Sequence, residues 1–412
     1  MIKKNFKALD LVARAEANLI DEFREIDLLE MKNLEKVLNA FNDCNLEERH
    51  FVGSSGYGHN DIGKEITNEI FAKIFNAESA YVSPLFTSGT SAISHTLLGI
   101  LRPNDTMLCI SGTLYDTLKT VIFGNGKDNG SLKDVNISYE QIDLVNGDFD
   151  YSQIEDYLKS NKPKMIYIQR SRGYEFRNAL TIDKIEKVCK LVKKNSNSII
   201  VVDNCYGEFV NDKEPTDVGA DIIVGSMIKN IGGGIAPTGG YVVGKADLVE
   251  KIACHLSSPA LGVETGSYLL GYKQILQGVF LAPTVVAGCK KLVKLTSRVM
   301  SELGYETMPK INDSLSDIVC AIKFNDNEKL INFCRGIQNA SAVDSNAYLI
   351  PSDMAGYEDQ IIMASGSFNL GSSIELSCDG PIRKPYIAYL QGGLSYAHGK
   401  LGLINALSNI LN

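Results

Sequence analysis

Between about Ile62 and Gly244 the chain alternates between two hydrophobic periods. Short apolar runs rich in β-branched residues occur at "AYVSPLF", "TMLCI", "KMIYIQ", "SIIVVD", "DIIVG" and "GYVVG". Stretches with helical spacing separate several of them, at "TSAISHTLLGILR", "YSQIEDYLKSN" and "TIDKIEKVCKLVKKN". Runs that are apolar at every position suit strands covered on both faces. Their alternation with helices predicts a mostly parallel sheet wrapped by helices. Near the N-terminus, Leu9, Val12, Ala13, Leu28, Leu29, Met31, Leu34, Val37, Leu38 and Phe41 recur at helical spacing. A glycine-rich bridge, "FVGSSGYGHNDIG", follows and is too polar and turn-rich for core structure. From about Leu248 to Val299 the pattern is mainly helical. Beyond that, strand-like "DIVCAIKFN", "SIELSC" and "YIAYLQGG" mix with helical segments at 328–339 and 397–411. The expected organisation is a helical arm and loop over 1–60, a large α/β domain over 61–285 and a smaller α+β domain over 286–412.

Composition narrows the function classes. The net charge of −8, with no basic block, argues against nucleic acid and anionic membranes as partners. The opening "MIKKNFKALDLVARAEANLIDEF" has the pattern of an amphipathic helix and lacks the apolar core of a signal peptide. The most apolar later run, "VFLAPTVVAG", contains Pro283 and falls short of the ~18 apolar residues of a membrane span. Nine scattered cysteines without a Cys-x-x-Cys pair fit a reducing, cytoplasmic setting. The five histidines share no zinc-motif spacing, so no metal site is expected.

Candidate chemistry lies at the carboxyl ends of the apolar runs, where open parallel sheets bind ligands. After "AYVSPLF", residues Ser88, Gly89 and Thr90 open a helix, offering hydroxyls and free N–H groups to a phosphate or simply capping the helix. After "TMLCI", Tyr115 can stack on a flat ligand or pack into the core. Asp203 ends "SIIVVD", and Ser226 and Lys229 follow "DIIVG", ahead of Gly232, Gly233 and Gly234. Singly, each of these reads as an ordinary cap, core or surface residue. Together, at one sheet edge, they suit pyridoxal 5′-phosphate. Lys229 supplies the amine for a Schiff base with its aldehyde, and Asp203 the carboxylate that keeps its ring nitrogen protonated. Ser88, Gly89, Thr90 and Ser226 supply donors for its phosphate, and Tyr115 a face for its ring.

The segments "GYGHNDIGKE", "SGTSAI", "SGTLYDTL", "VVDNCYGEF", "GSMIKNIGGGIAPTGGYV" and "GPIRKPYIAYLQGGLSYAHGK" resemble fold type I pyridoxal-phosphate enzymes of the Cys/Met-metabolism branch. Within it the chain is most similar to bacterial methionine γ-lyase-like, or aluminium-resistance (cystathionine β-lyase-like), proteins. The resemblance covers nearly the whole chain. It implies an aspartate-aminotransferase-like large domain, and a lyase that cleaves a carbon–sulfur bond of a sulfur-containing amino acid by β- or γ-elimination. The products are a thiol, ammonia and an oxo acid. It implies a homodimer with shared active sites, in a branch that is commonly tetrameric, in which a Tyr-x-Arg motif reaches the neighbouring subunit's phosphate. Here that motif reads Tyr57, Gly58, His59, so the arginine is replaced by histidine. Tyr57 is also a candidate acid or base. Arg383 is the candidate for the substrate carboxylate, with Arg170 and Arg172 as rivals, because a guanidinium binds a carboxylate through two parallel bonds. Gln169 and Ser171 are candidates to contact the cofactor ring. An aminotransferase of the same fold, or a cofactor-binding protein with little turnover, remains an alternative. The glycine-rich "GNGKDNG" lacks the strand and helix of a dinucleotide site and reads as a turn near the site entrance.

Overall fold

The structure is a computed structural model and describes residues 5–354 and 357–411. Its centre is a seven-stranded sheet. Across it the strands run Ser79–Ser83, Gly240–Gly244, Ile222–Ser226, Ile199–Asp203, Met165–Gln169, Thr106–Cys109 and Ser138–Gln141. All neighbours pair in parallel except Gly240–Gly244, which is antiparallel to both of its neighbours. Met165–Gln169, Ile222–Ser226 and Gly240–Gly244 are buried at every position, which is why their sequences show no polar alternation. The edge strand Ser138–Gln141 has no fully buried residue, and nothing in the apolar pattern announces it.

The covering helices follow the predicted spacing. In Ile182–Asn195 the buried positions are Ile182, Ile185, Val188, Cys189 and Val192, one stripe at helical intervals. Thr181 caps it by accepting the Lys184 N–H at 3.3 Å. The N-terminal segment forms two helices, Phe6–Ala17 and Ile20–Asp43, and the second packs on the long helix Lys273–Glu302.

That long helix departs from the expectation. The run around Pro283 is the middle of a 30-residue helix that carries the proline inside it, and the expected domain boundary at 285/286 falls within it. By length and composition it is long and apolar enough to cross a membrane. Yet 67% of its apolar window is buried inside the fold, as in the core helix of a globular protein. The glycines after Lys229 also have a structural reason. A Cβ on Gly233 would sit 2.3 Å from the Gly278 carbonyl oxygen on this helix, and one on Gly232 would sit 1.7 Å from that of Met227. The loop therefore lies backbone to backbone on the helix, which only residues without side chains permit.

The second sheet has five antiparallel strands in the order Glu306–Met308, Val319–Lys323, Ile387–Gln391, Ser377–Pro381 and Ile361–Ser365. Helices Asn327–Asn339 and Tyr396–Ile410 pack against each other. A separate cluster of Val319, Ala321, Ile387 and Tyr389 meets Tyr174, Phe176 and Tyr206 of the large-sheet region. The strand expected at "SIELSC" begins four residues later, at Ser377.

Candidate active site

At that junction a cavity of about 340 Å³ opens beyond the carboxyl ends of the large sheet's strands. Ser88, Gly89, Thr90, Tyr115, Asp203, Ser226 and Lys229 all line it, as does Arg383 from the small-sheet side. Topology brings them there: Asp203 and Ser226 end neighbouring parallel strands, and Lys229 follows three residues after Ser226.

The floor of the cavity presents donors. Ser88 caps the helix Gly89–Ile100 by accepting the Ser91 N–H at 3.0 Å. A Cβ on Gly89 would sit 3.1 Å from the Ser226 Cβ, so the helix start and Ser226 lie side by side. Ser226 Oγ is buried and has no hydrogen-bond partner. A buried hydroxyl left unpaired beside a helix N-terminus is what an anion would satisfy.

Tyr115 is held at both ends. Its backbone N–H donates to Gln169 Oε1 at 3.0 Å, and its hydroxyl meets Thr90 Oγ1 at 3.2 Å. Gln169 is therefore not a wall of the cavity, contrary to the expectation. Its side-chain nitrogen also donates to the Ser171 carbonyl at 3.3 Å, so it braces Tyr115 from behind.

Asp203 is buried, and its Oδ1 accepts the Cys205 N–H at 3.0 Å. Burial pushes its carboxyl up, while Lys229 and Cys205 hold it down. Lys229 Nζ stands 4.3 Å above the centre of the Tyr206 ring and makes no ion pair or hydrogen bond among the described residues. Burial works against its charge, and the groups around it, Cys205, Tyr206, Asp203 and Tyr115, outweigh that and hold its pKa above the usual lysine value. Tyr206 was missed by sequence reasoning although it lies three residues after Asp203. Its backbone adopts a φ of +70°, uncommon for a residue with a side chain, and brings the ring beneath Lys229.

The three candidate arginines separate by their partners. Arg170 is fully buried and does not line the cavity. Its two terminal nitrogens donate to Asn204 Oδ1 at 2.7 Å, the Gly207 carbonyl at 3.1 Å and Asn211 Oδ1 at 2.8 Å, with Glu214 at 3.7 Å. A substrate carboxylate cannot reach it, which removes Arg170 as a substrate ligand. Arg172 reaches the cavity wall, but it is buried and its fork is taken by Asp317, through Nε at 3.1 Å and Nη2 at 2.9 Å. Arg383 also lines the cavity, is partly exposed and among the described residues makes one side-chain ion pair, to Asp359 Oδ2 at 2.9 Å.

Tyr57 and His59 lie elsewhere. Tyr57 is 75% exposed and its ring stacks on His59, with centroids 5.6 Å apart. His59 Nδ1 meets the Glu264 carbonyl at 3.1 Å. Neither lines the cavity of its own chain, so any part they take in its chemistry runs through a neighbouring copy. No residue of the "GNGKDNG" turn is among those lining the cavity.

A family model described as Methionine gamma-lyase matches residues 8–411. The chain belongs to the methionine γ-lyase family. Within the family's wider reach, the Bacillus subtilis (strain 168) protein YnbB is 43% identical over 399 residues, covering 96% of this chain and 94% of YnbB. The crystal structure of a carbon-sulfur lyase involved in aluminum resistance from Clostridium novyi superposes with a TM-score of 0.95. The two are 47% identical, over 99% of this chain and 96% of that one. The fold extends further still. The pyridoxal-5′-phosphate dependent protein YhfS from Escherichia coli is 14% identical yet superposes with a TM-score of 0.63 over 94% of this chain and 97% of its own. The methionine γ-lyase family member described here is thus a fold type I protein.

Proposed function

We propose that this chain is a pyridoxal-phosphate-dependent carbon–sulfur lyase that acts on a sulfur-containing amino acid and releases a thiol, ammonia and an oxo acid. The observation that carries the reading is the joint placement of Lys229, Asp203 and the unpaired Ser226 hydroxyl around one cavity. The family membership and the carbon–sulfur lyase relative support it.

The residues fit the cofactor. Ser226 Oγ and the N-terminus of the helix Gly89–Ile100 would hold its phosphate, each lacking a partner that an anion supplies. Asp203 would hold a proton at the ring nitrogen, and Tyr115, fixed by Thr90 and Gln169, would cover the ring face. When bound, pyridoxal phosphate supplies an electron sink for the electrons left at a deprotonated α-carbon.

The chain's own part is to hold the reactants and move protons. Lys229, a fully buried amine lining the cavity beside Asp203 and Tyr206, would anchor the cofactor and then carry the α-proton of the substrate. Arg383 would exchange Asp359 for the substrate's α-carboxylate, since its present pairing is a single partly exposed contact. Tyr57 and His59 of a second copy would complete the site in a homodimer, with Tyr57 as an acid or base and His59 near the phosphate. The test is a panel of cystathionine, cysteine, homocysteine and methionine, assayed on the holoenzyme for thiol, ammonia and oxo acid. Release of all three from at least one member is expected. Pyridoxamine phosphate formation without thiol would overturn the lyase reading in favour of an aminotransferase.

A further inference from the structure

The small-sheet side of the cavity carries a carboxylate that no cation among the described residues answers. Asp379 lies at the middle of the strand Ser377–Pro381 and lines the cavity. Gln391 Nε2 donates to its Oδ2 over a long 3.3 Å, and its other side-chain partner is the neutral Tyr174. Among the described residues no lysine, arginine or histidine forms an ion pair with it. The nearest arginine in sequence, Arg383, turns to Asp359, and Arg172 turns to Asp317.

Aromatic rings stand around this acid. The ring of Tyr174 lies 5.9 Å from that of Tyr357 and 5.1 Å from that of Tyr389, and all three line the same cavity. Burial pushes the Asp379 carboxyl up to about 7, with Tyr174 holding it down. A buried carboxylate is stable as an anion only with a counter-charge. The Tyr174 side chain eases the anion by a hydrogen bond but carries no charge, and phenol faces attract cations. Carboxylate and rings together make a receptor for an ammonium group.

We propose that Asp379, framed by Tyr174, Tyr357 and Tyr389, is the specificity group of this cavity and selects sulfur amino acids whose leaving arm ends in an ammonium group. This rests on the lyase reading above. An uncharged alkyl arm would cover Asp379 without neutralising it, and a carboxylate arm would meet a like charge. Sites built around a buried polar partner reject the analogue that lacks it far better than apolar pockets discriminate by size.

The experiment compares two isosteres on the pyridoxal-phosphate holoenzyme: S-(2-aminoethyl)-L-cysteine and S-propyl-L-cysteine, which carries a methyl where the first has its ammonium. Binding is read from the change in cofactor absorbance, and turnover from thiol release. The wild type should bind the ammonium-bearing compound at least about tenfold more tightly, as a charged hydrogen bond implies. Asp379→Asn should bring the two affinities together while leaving that for S-propyl-L-cysteine unchanged or better. Asp379→Glu, which keeps the charge, should retain the preference. Equal wild-type affinities, a preference that survives Asp379→Asn, or an equal loss for both compounds would each overturn the inference and leave the lyase reading standing. If the cofactor binds and neither compound perturbs it in the wild type, the inference falls, while the lyase reading is decided by the substrate panel above.

Discussion

The two sides of the cavity are built differently. The large-sheet side consists of strand ends and the turns that follow them: Ser88–Thr90, Asp203, Ser226 and Lys229. Each sits where a buried run stops, and the topology of a parallel sheet delivers all of them to one edge. The small-sheet side consists of Asp379, Arg383, Tyr389 and Gln391 from antiparallel strands and turns, with Tyr357 from a loop, and it meets Tyr174 of the large-sheet region. No single rule of chain topology gathers these. One side suits a common cofactor, and the other has the variety expected of a substrate surface.

The sharpest way to break this division uses the arginines. Arg170→Met should lower the unfolding free energy by about 3–5 kcal/mol, because Glu214 would be left buried without its cation. Protein that still folds should keep a wild-type KM. Arg383→Met should leave stability unchanged and raise KM by about tenfold to a hundredfold, the usual worth of a charge-assisted bond. Denaturant titration and steady-state kinetics on both variants read the result. A KM effect for Arg170 without loss of stability would put the two arginines in each other's roles.

A smaller effect sharpens the contrast between the cavity and the layer behind it. Glu208 is fully buried, its Oε1 accepts the Tyr241 hydroxyl at 2.7 Å, and its Oε2 has no partner. Its backbone carbonyl accepts the side chain of Asn230, the residue after Lys229, at 3.1 Å. Burial raises its pKa to about 8. The folded state therefore binds more protons than the unfolded state between the ordinary glutamate value and about pH 8. This group's contribution to stability is full below that range and is lost as pH rises through it. The thermal midpoint of the apoprotein should fall as pH is raised from about 5 to about 8, and Glu208→Gln should flatten that slope. An unchanged slope in the variant would mean that Glu208 is ionised throughout and that the layer behind Lys229 is charged.

Legibility in the sequence followed the same division. The buried strands and the helices between them could be read because burial on both faces removes polar positions, and Asp203 and Ser226 were visible as the residues where that pattern ends. Ser138–Gln141 was hidden because an exposed edge strand has no apolar signature. The helical pattern expected from about Leu248 to Val299 includes the long helix Lys273–Glu302, but its apolar stretch looked short because Pro283 sits inside it. Arg170 looked like a ligand because its position after a strand is the right one. Its neighbours Asn204, Asn211 and Glu214, up to 44 residues away, decide otherwise. Gly232 and Gly233 have a reason that the sequence did not show: they let the loop lie on a helix. Asp379 carried no local signal, since its meaning comes from the lack of an ion-pair partner among the described residues and from rings contributed by distant segments.

The central claim is that Lys229 is the amine that holds the cofactor, and borohydride reduction of the holoprotein followed by peptide mapping tests it most directly. The account predicts a phosphopyridoxyl mass on the peptide containing Lys229, and loss of both that adduct and the visible absorbance band in Lys229→Ala. An adduct on Lys119, the other lysine lining the cavity, or a visible band that survives in Lys229→Ala, would contradict it.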